Sequence, residues 1–172
     1  MSVAVSMDWD DLHATLGRIA AVGLHPEGVL AAIGLPLEDS TRQRFDSGRD
    51  PDGVDWQSYA PLNPLYAAVE KQGVGILVES GKLRGSIRSV VVGSELLVGS
   101  DEVYAPVHQF GAVIQPRNGR YLSFMMGGHL WHVDSVLIEA RPYLGLSEED
   151  RVRIIEELEA ALLRAIGGDG GV

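Results

Sequence analysis

The chain has 172 residues, a net charge of −10 and no cysteine. A chain of this length buries roughly 70% of its unfolded surface, enough for one domain with a hydrophobic core, and the lack of thiols excludes disulfides and cysteine-ligated zinc. With 14 basic against 24 acidic residues, the composition argues against a general nucleic-acid binder and against attraction to an anionic membrane surface.

The N-terminal region is predicted to form an amphipathic helix over residues 8–22. Its apolar residues recur at three- and four-residue spacing, Ser6 or Asp8 can cap its start, and Gly23 is expected to end it. The segment before it turns acidic at once and lacks the basic region of a signal peptide. No apolar run in the chain reaches the ~18 residues that predict a membrane-spanning helix.

Two further short helices are expected next. The first covers residues 26–33, because Pro26 suits a first helical turn. The step Gly34–Leu35–Pro36 is expected to break this helix, since proline has no N–H to donate and its ring clashes with the preceding turn. The second helix is predicted over residues 37–46.

Residues 46–64 are predicted to be a long loop. The sequence Asp50–Pro51–Asp52–Gly53 is a strong turn signal, because proline fixes one backbone dihedral and glycine tolerates the left-handed conformation. Two later prolines, at 61 and 64, prolong the irregular stretch. Residues 65–71 are then expected to form one or two helical turns.

The middle of the chain is predicted to contain a first β-hairpin. Its strands cover residues 83–92 and 95–99, and the chain turns at Gly93–Ser94. Residues 104–110 are expected to form a short helix, and residues 112–118 a loop or the end of a strand. The two strands of a hairpin pair antiparallel.

A second hairpin is predicted over residues 121–126 and 130–140, around Gly127–Gly128. The last element is a helix over 147–166, because Ser147 caps its start and three acidic residues follow at its positive end. The fold class is therefore α+β: an antiparallel sheet of two hairpins packed by N-terminal helices and a C-terminal helix. We expect a single domain over residues 1–166 and a disordered tail over residues 167–172.

Histidines are the first candidates for chemistry. His129 and His132 could suggest a metal site, but on a strand residues three apart point to opposite faces, and no third ligand follows from the spacing. His108 could act as a base, yet no motif supplies a nucleophile or an orienting carboxylate. Partly exposed or hydrogen-bonded structural histidines are therefore the favoured interpretation.

Other candidate motifs point the same way. The glycines at 73 and 75 lack the rest of a phosphate-binding loop, and Ser80–Gly81–Lys82 is better explained as a helix start or turn. Asp50, Asp52 and Asp55 could bind a cation but lack the spacing of a calcium loop. We therefore expect no enzyme activity and no cofactor, and we favour a structural or binding role.

Several short motifs follow one another over residues 44–147 in an order that is similar to that of a known protein family. These motifs are Arg44–Phe45, Asp50–Pro51–Asp52–Gly53 with Trp56, Ile76–Leu77, Ser80–Gly81–Lys82–Leu83, Ser86–Ile87, Val98–Gly99–Ser100, Tyr104–Ala105, His108–Gln109–Phe110–Gly111 and Ala140–Arg141–Pro142–Tyr143–Leu144–Gly145–Leu146–Ser147. In this order they resemble the phage virion morphogenesis family, which includes the tail-completion proteins of Mu-like and P2-like phages.

This resemblance implies a structural subunit of the virion, made in the bacterial cytoplasm and placed at the tail or head–tail junction. Such proteins are associated with completing the tail for head joining, and related neck and tail-end proteins commonly form rings, often hexameric. The implied partners are other tail and neck proteins and further copies of the chain, with neither specific nucleic-acid binding nor membrane attachment. Two alternatives stay open: a subunit of a phage-derived particle, such as a tail-like bacteriocin or an injection system, and a small metal-dependent hydrolase.

Under this resemblance, the long loop over residues 46–64 is expected to order on a neighbouring subunit, because loops longer than ~12 residues are usually functional or disordered. The aromatic and polar stretch Tyr104–Gly111 has the composition of interface anchors, with core packing as the alternative. The predicted interface residues are Asp50, Pro51, Asp52, Gly53, Trp56, Tyr104, His108, Gln109, Phe110, Arg141 and Tyr143.

Overall fold

A computed structural model of the protein describes residues 10–68 and 75–167. It confirms the α+β class, with short antiparallel strand pairs between helices at both ends. The elements are α1 (Asp10–Leu24), α2 (Glu27–Ser47), α3 (Trp56–Tyr59), α4 (Pro64–Tyr66), α5 (Lys82–Gly85), β1 (Arg88–Val92), β2 (Glu95–Gly99), α6 (Ala105–Phe110), β3 (Ala112–Ile114), β4 (Leu122–Met126), β5 (His129–Val133), β6 (Val136–Ile138) and α7 (Glu148–Gly167).

The predicted break at Gly34–Leu35–Pro36 is wrong, because α2 runs unbroken through Pro36. A proline inside a helix costs about 3 kcal/mol or more, so packing against the rest of the fold outweighs this cost. Ile33 and Leu37, on either side of the Gly34–Leu35–Pro36 step, are buried. Helix α2 packs against β1, β2 and α7. Helix α1 extends one residue past Gly23, and its proposed caps lie outside the described residues.

Gly34 allows the first hairpin to approach α2 closely. A Cβ atom built on Gly34 would lie 2.5 Å from the Ser89 Oγ and 3.2 Å from a Leu96 methyl carbon. We therefore expect Gly34→Ala to lower the free energy of unfolding by about 1–3 kcal/mol through overpacking. Gly28→Ala is the matched control, because no atom lies within 4 Å of the added carbon. Equal urea midpoints for the two variants would contradict this account.

The first hairpin is shorter than predicted. Its turn at Gly93–Ser94 is confirmed, with Val92 opposite Glu95, but the pairing begins only at Arg88. Residues 82–85 instead form α5, because Gly81 takes a left-handed φ of 72° and turns the chain just before it. Ser80–Gly81–Lys82 is thus a helix start, as predicted.

The second predicted hairpin divides into two strand pairs. Strands β4 and β5 pair around Gly127–Gly128 as expected. The predicted strand over residues 130–140 is interrupted at Asp134, a residue type depleted in strands, and β6 pairs with β3 instead. The described strands therefore form three separate two-stranded sheets.

The stretch predicted as one loop over residues 46–64 contains ordered structure. Helix α2 reaches Ser47, α3 forms a helical turn, and α4 begins at Pro64. The Asp55 carboxylate caps α3 by accepting a hydrogen bond from the Gln57 N–H at 2.8 Å. This cap places Trp56, which is fully buried, in the core.

The hydrophobic core lies where α2, α3, α5, α6 and the segment before α7 meet. Phe45 is at its centre, with ring centroids 5.6 Å from Trp56 and 5.3 Å from Tyr143. The other buried members are Ile76, Leu83, Ile87 and Ala105. The core therefore joins residues that are far apart in the sequence.

Helix α7 begins as predicted, directly after a cap at Ser147. The Asp150 N–H donates to the Ser147 Oγ at 3.1 Å, and the Ser147 N–H donates to the Asp150 carboxylate at 3.0 Å, which is a reciprocal cap. The face that packs on α1 and α2 carries Asp150, Ala161 and Ala165. Residues 168–172 lie outside the described residues.

A buried clamp and candidate assembly surfaces

The segment Arg141–Ser147 is held in place by a buried ion pair between two helices. Arg44 of α2 and Asp150 of α7 form this pair, with 7% and 1% of their side chains exposed. The Arg44 guanidinium also donates hydrogen bonds to the carbonyl oxygens of Tyr143 at 2.9 Å and Gly145 at 3.0 Å. We call Arg44, Asp150 and these two carbonyls the Arg44 clamp.

The clamp keeps Asp150 ionised although it is buried. Burial alone would raise the pKa of its carboxyl group, but hydrogen bonds from Ser40 and Ser147 and the charge of Arg44 outweigh burial and lower the pKa. Arginine stays protonated in proteins. The pair is therefore a fixed ionic contact and has no features of a proton-transfer site.

A second group of hydrogen bonds joins this segment to the region around α3. The Trp56 indole donates to the Pro142 carbonyl oxygen at 3.0 Å. The Arg141 guanidinium donates to the carbonyl oxygens of Trp56 at 3.4 Å and Ala60 at 2.8 Å. Because these groups are buried or half-buried, each lost partner leaves a polar atom without water to replace it.

Arg141→Lys is expected to lower the free energy of unfolding by about 1–3 kcal/mol, because a lysine cannot present two donors in the same fixed fork. The region around α3 should then open more often. Chymotryptic cleavage after Tyr59, together with urea unfolding, measures both effects. Arg49→Lys is the control, since Arg49 is exposed and makes one long contact, 3.4 Å to Gly53. Unchanged cleavage in Arg141→Lys would contradict the role given to this side chain.

Helix α6 is attached to the same segment through Gln109. Its side-chain oxygen accepts hydrogen bonds from the N–H groups of Tyr143 and Leu144, each at 3.0 Å, and its amide donates to the Leu144 carbonyl at 3.1 Å. The Tyr143 hydroxyl donates to the Ala105 carbonyl at 3.3 Å, and burial raises the pKa of this hydroxyl to about 12. The motif around Gln109 therefore has a packing role.

Four of the predicted interface residues take part in the packing of the protomer itself. Asp50, Trp56, Arg141 and Tyr143 are at most 7% exposed, so in the protomer they stabilise the fold, and their part in an interface stays a prediction. The Asp50 carboxylate accepts hydrogen bonds from the Val54 N–H at 2.8 Å and from a tyrosine hydroxyl of α3. The predicted turn is thus tied to its own chain.

The other predicted interface residues reach the surface to different degrees. Phe110 is 77% exposed and Tyr104 is 38% exposed. The remaining ones are half-buried or exposed, namely Pro51, Asp52, Gly53, His108 and Gln109. Their part in an interface stays a prediction.

A first apolar surface lies on α7. An apolar stripe of this helix faces solvent, and we call it the α7 stripe. Its members are Val152, Ile155, Leu158, Leu162 and Ile166, which are 40–54% exposed. Large contiguous apolar patches are typical of interaction sites, whereas single exposed apolar residues need no explanation, so the stripe is a candidate surface.

A second apolar surface lies on the β4–β5 hairpin, which the sequence prediction did not select as an interface. Phe124 pairs with Trp131 on one face, and Met125 pairs with Leu130 on the other. These side chains are 37–63% exposed. The available signal was the lack of alternation: both strands carry apolar residues on both faces, although strands with one face in water usually alternate.

Metal-ligating side chains do not gather in the described part of the chain. Within residues 10–68 and 75–167, no three of His, Asp and Glu approach one another closely enough to hold a metal ion. His132 instead shares a hydrogen bond with the Ser123 hydroxyl at 2.8 Å across the β4–β5 hairpin. The fold thus places this histidine in a cross-strand contact.

Among the described helices, no single one is long and apolar enough to cross a membrane. The segments His13–Leu24 and Glu27–Ser47 reach the required length and composition together, across a bend of 55°.

Comparison with known proteins gives one family and one curated relative. The model of the phage virion morphogenesis family matches residues 7–163. The chain is 28% identical over 149 residues to the Mu-like prophage FluMu G protein 2 of Haemophilus influenzae, covering 87% of each chain. No solved structure matches. Because the family model covers most of the chain, including the clamp, the β4–β5 hairpin and most of the α7 stripe, this protein belongs to the phage virion morphogenesis family.

Proposed function

We propose that this protein is a structural subunit that completes the tail or the head–tail connection of a phage particle. It acts through contacts with tail and neck proteins and with further copies of itself. Family membership supports the broader role, a phage structural or assembly protein associated with the virion. The tail-end position and the ring arrangement are the finer part of the proposal.

The observation that carries this proposal is the amount of apolar side chain left in contact with water. The α7 stripe and the β4–β5 hairpin expose valine, isoleucine, leucine, methionine and aromatic residues. Isolated two-stranded hairpins are marginally stable in water, and aromatic residues and methionine are enriched at protein interfaces. In an assembled particle, neighbouring subunits would bury such surfaces and remove them from water.

The internal hydrogen bonds support the same role. The clamp and the Arg141 contacts fix a rigid scaffold, in which Trp56 and Tyr143 pack at the centre. Rigid scaffolds suit assembly, because fewer side chains and loops must be ordered when subunits associate. The fold is therefore built to present surfaces in a constant geometry.

Deletion of the gene from an inducible prophage tests the proposal. We expect electron microscopy of the lysate to show full heads and tails that fail to join or tails with an unfinished end. The unaltered gene supplied from a plasmid should restore joined particles, and labelled antibody should mark one end of the tail. Normal joined particles without the gene would contradict the proposed function.

A further inference from the structure

The β4–β5 hairpin is an apolar surface within a positively charged stretch. Residues 103–133 contain no Asp or Glu, although the whole chain carries 24 acidic residues. Arg117 and Arg120 precede β4 and are exposed, and the Arg120 guanidinium lies 5.1 Å from the Tyr121 ring centre. The hairpin therefore combines exposed aromatic side chains with a rim of net positive charge, formed by Arg117 and Arg120 together with Asp134, which directly follows β5.

The α7 stripe has the opposite charge around it. Glu156 and Glu159 follow Val152 and Ile155 by four residues, so each carboxylate lies beside a member of the stripe on the helix surface. Both glutamates are exposed. The stripe therefore combines aliphatic side chains with a rim of net negative charge, in which Glu156 and Glu159 are accompanied by Arg151, the exposed partner of Glu148.

An apolar groove continues this surface at Leu158. It is about 450 Å³ in volume and lies between α2, β2 and α7. Among its lining residues are Leu30, Ile33, Leu37, Leu96 and Val98. The stripe and groove together offer a surface that large side chains of a partner can enter.

We propose that the β4–β5 hairpin of one copy docks on the α7 stripe of the next copy. This inference rests on the proposed assembly function and names the partner surface. The two surfaces belong to separate parts of one chain, since α7 packs on α1 and α2 while β4 and β5 pack chiefly on each other. The positive rim of the hairpin on one copy then meets the negative rim of the α7 stripe on the next copy. This charge complementarity favours the proposed orientation over others.

Charge also argues against pairing like surfaces. Two hairpins placed face to face would bring Arg117 and Arg120 of both copies together, and two α7 stripes would bring Glu156 and Glu159 together. Like charges placed opposite each other across an interface oppose association. A contact between different surfaces repeats from copy to copy, and it closes into a ring when the rotation per copy allows.

Cysteine cross-linking tests this contact, because the chain has no cysteine of its own. The double variant Met125→Cys/Leu162→Cys places one thiol on each surface, at residues that are 63% and 40% exposed. A short bis-maleimide should convert it into a ladder of covalent oligomers, both in purified particles and in concentrated purified protein. Equimolar mixing of the two single variants should give one dimer that contains both.

The control is Met125→Cys/Leu24→Cys, which replaces the stripe thiol with one on the 74%-exposed Leu24 at the end of α1. It should give no ladder. A ladder in both variants, or dimers of Met125→Cys alone, would overturn the proposal. Dimers of Met125→Cys alone would instead indicate hairpin-to-hairpin pairing.

Charge reversal supplies a second test. Arg117→Glu/Arg120→Glu should reduce the cross-linked product at least about tenfold, and adding Glu156→Arg/Glu159→Arg should restore it. Arg49→Glu/Arg88→Glu makes the same change in net charge at exposed positions elsewhere and should leave the product unchanged. A loss that the second pair of reversals does not restore would count against the rim contact.

These outcomes separate the contact from the function. If particles depend on the gene but the Met125/Leu162 variant gives no ladder in them, the contact is wrong and the function stands. If joined particles form without the gene, the function is wrong, and cross-linking of the purified protein decides the contact by itself.

Discussion

Replacing Asp150 by alanine should lower the free energy of unfolding by about 3–5 kcal/mol, as expected when one partner of a buried ion pair is removed. The Arg44 guanidinium would remain buried at 7% exposure without its counter-charge. Ser147 would also lose the carboxylate that its N–H contacts at 3.0 Å. Urea unfolding followed by circular dichroism measures the change.

The matched control is Asp39→Ala. Asp39 also pairs with an arginine, Arg42, at 3.1 Å, but its side chain is 68% exposed. An exposed pair contributes about 0–1 kcal/mol, so this variant should unfold close to the unaltered protein. Similar losses in the two variants would show that burial of the Arg44 clamp contributes nothing.

The clamp should also make stability depend on pH in one direction. Because the folded-state pKa of Asp150 lies below its ordinary value of 3.8, its contribution is present above that value and is lost as the pH falls through the folded pKa. Lowering the pH from about 5 towards 2 should therefore destabilise the unaltered protein more than Asp150→Asn. Parallel pH profiles for the two proteins would contradict this assignment.

Trp56→Ala is expected to lower the free energy of unfolding by about 3–5 kcal/mol, in the range of large aromatic deletions from a core. The fully buried indole touches Phe45 edge to face at a centroid distance of 5.6 Å. Its loss leaves a cavity and removes the donor to the Pro142 carbonyl at 3.0 Å. Chemical denaturation and the loss of near-ultraviolet dichroism report both effects.

Trp131→Ala gives the comparison within the same chain. Trp131 is 39% exposed on the β4–β5 hairpin, so its removal should affect the midpoint of unfolding far less than that of Trp56. Under the proposed contact it should instead weaken cross-linking between copies. A large loss of stability in Trp131→Ala would place this side chain in the core and contradict its role at a surface.

Local signals in the sequence predicted the helices and turns that depend on local chemistry. The cap at Ser147, the turn at Gly93–Ser94 and the helix over residues 104–110 each follow from side chains within a few positions of the element. The continuity of α2 through Pro36 and the crossing of β6 to β3 depend on distant partners. Residue patterns within a short window carry no information on such partners.

The candidate site shows the same difference between what local sequence patterns predict and what depends on distant residues. The ordered motifs in the sequence point to Trp56 and Tyr143, and both residues belong to the buried core. The Arg44–Asp150 pair joins residues 106 positions apart, and nothing in the charge pattern matches one arginine to one of many carboxylates. The apolar stripe on α7 was visible as a period, but periodicity does not tell whether the stripe faces the core or a neighbour.

The Arg44 clamp joins residues that are far apart in the sequence, and this separation affects when the protein can fold during synthesis. Arg44 leaves the ribosome long before Asp150 and the carbonyls of Tyr143 and Gly145 that it binds, since synthesis proceeds at about 5–20 residues per second. Until Tyr143 has emerged, Phe45 and Trp56 lack this member of the core. Prematurely terminated chains therefore cannot complete the hydrophobic core or form α7. Such chains should assemble into a particle less well than the full chain.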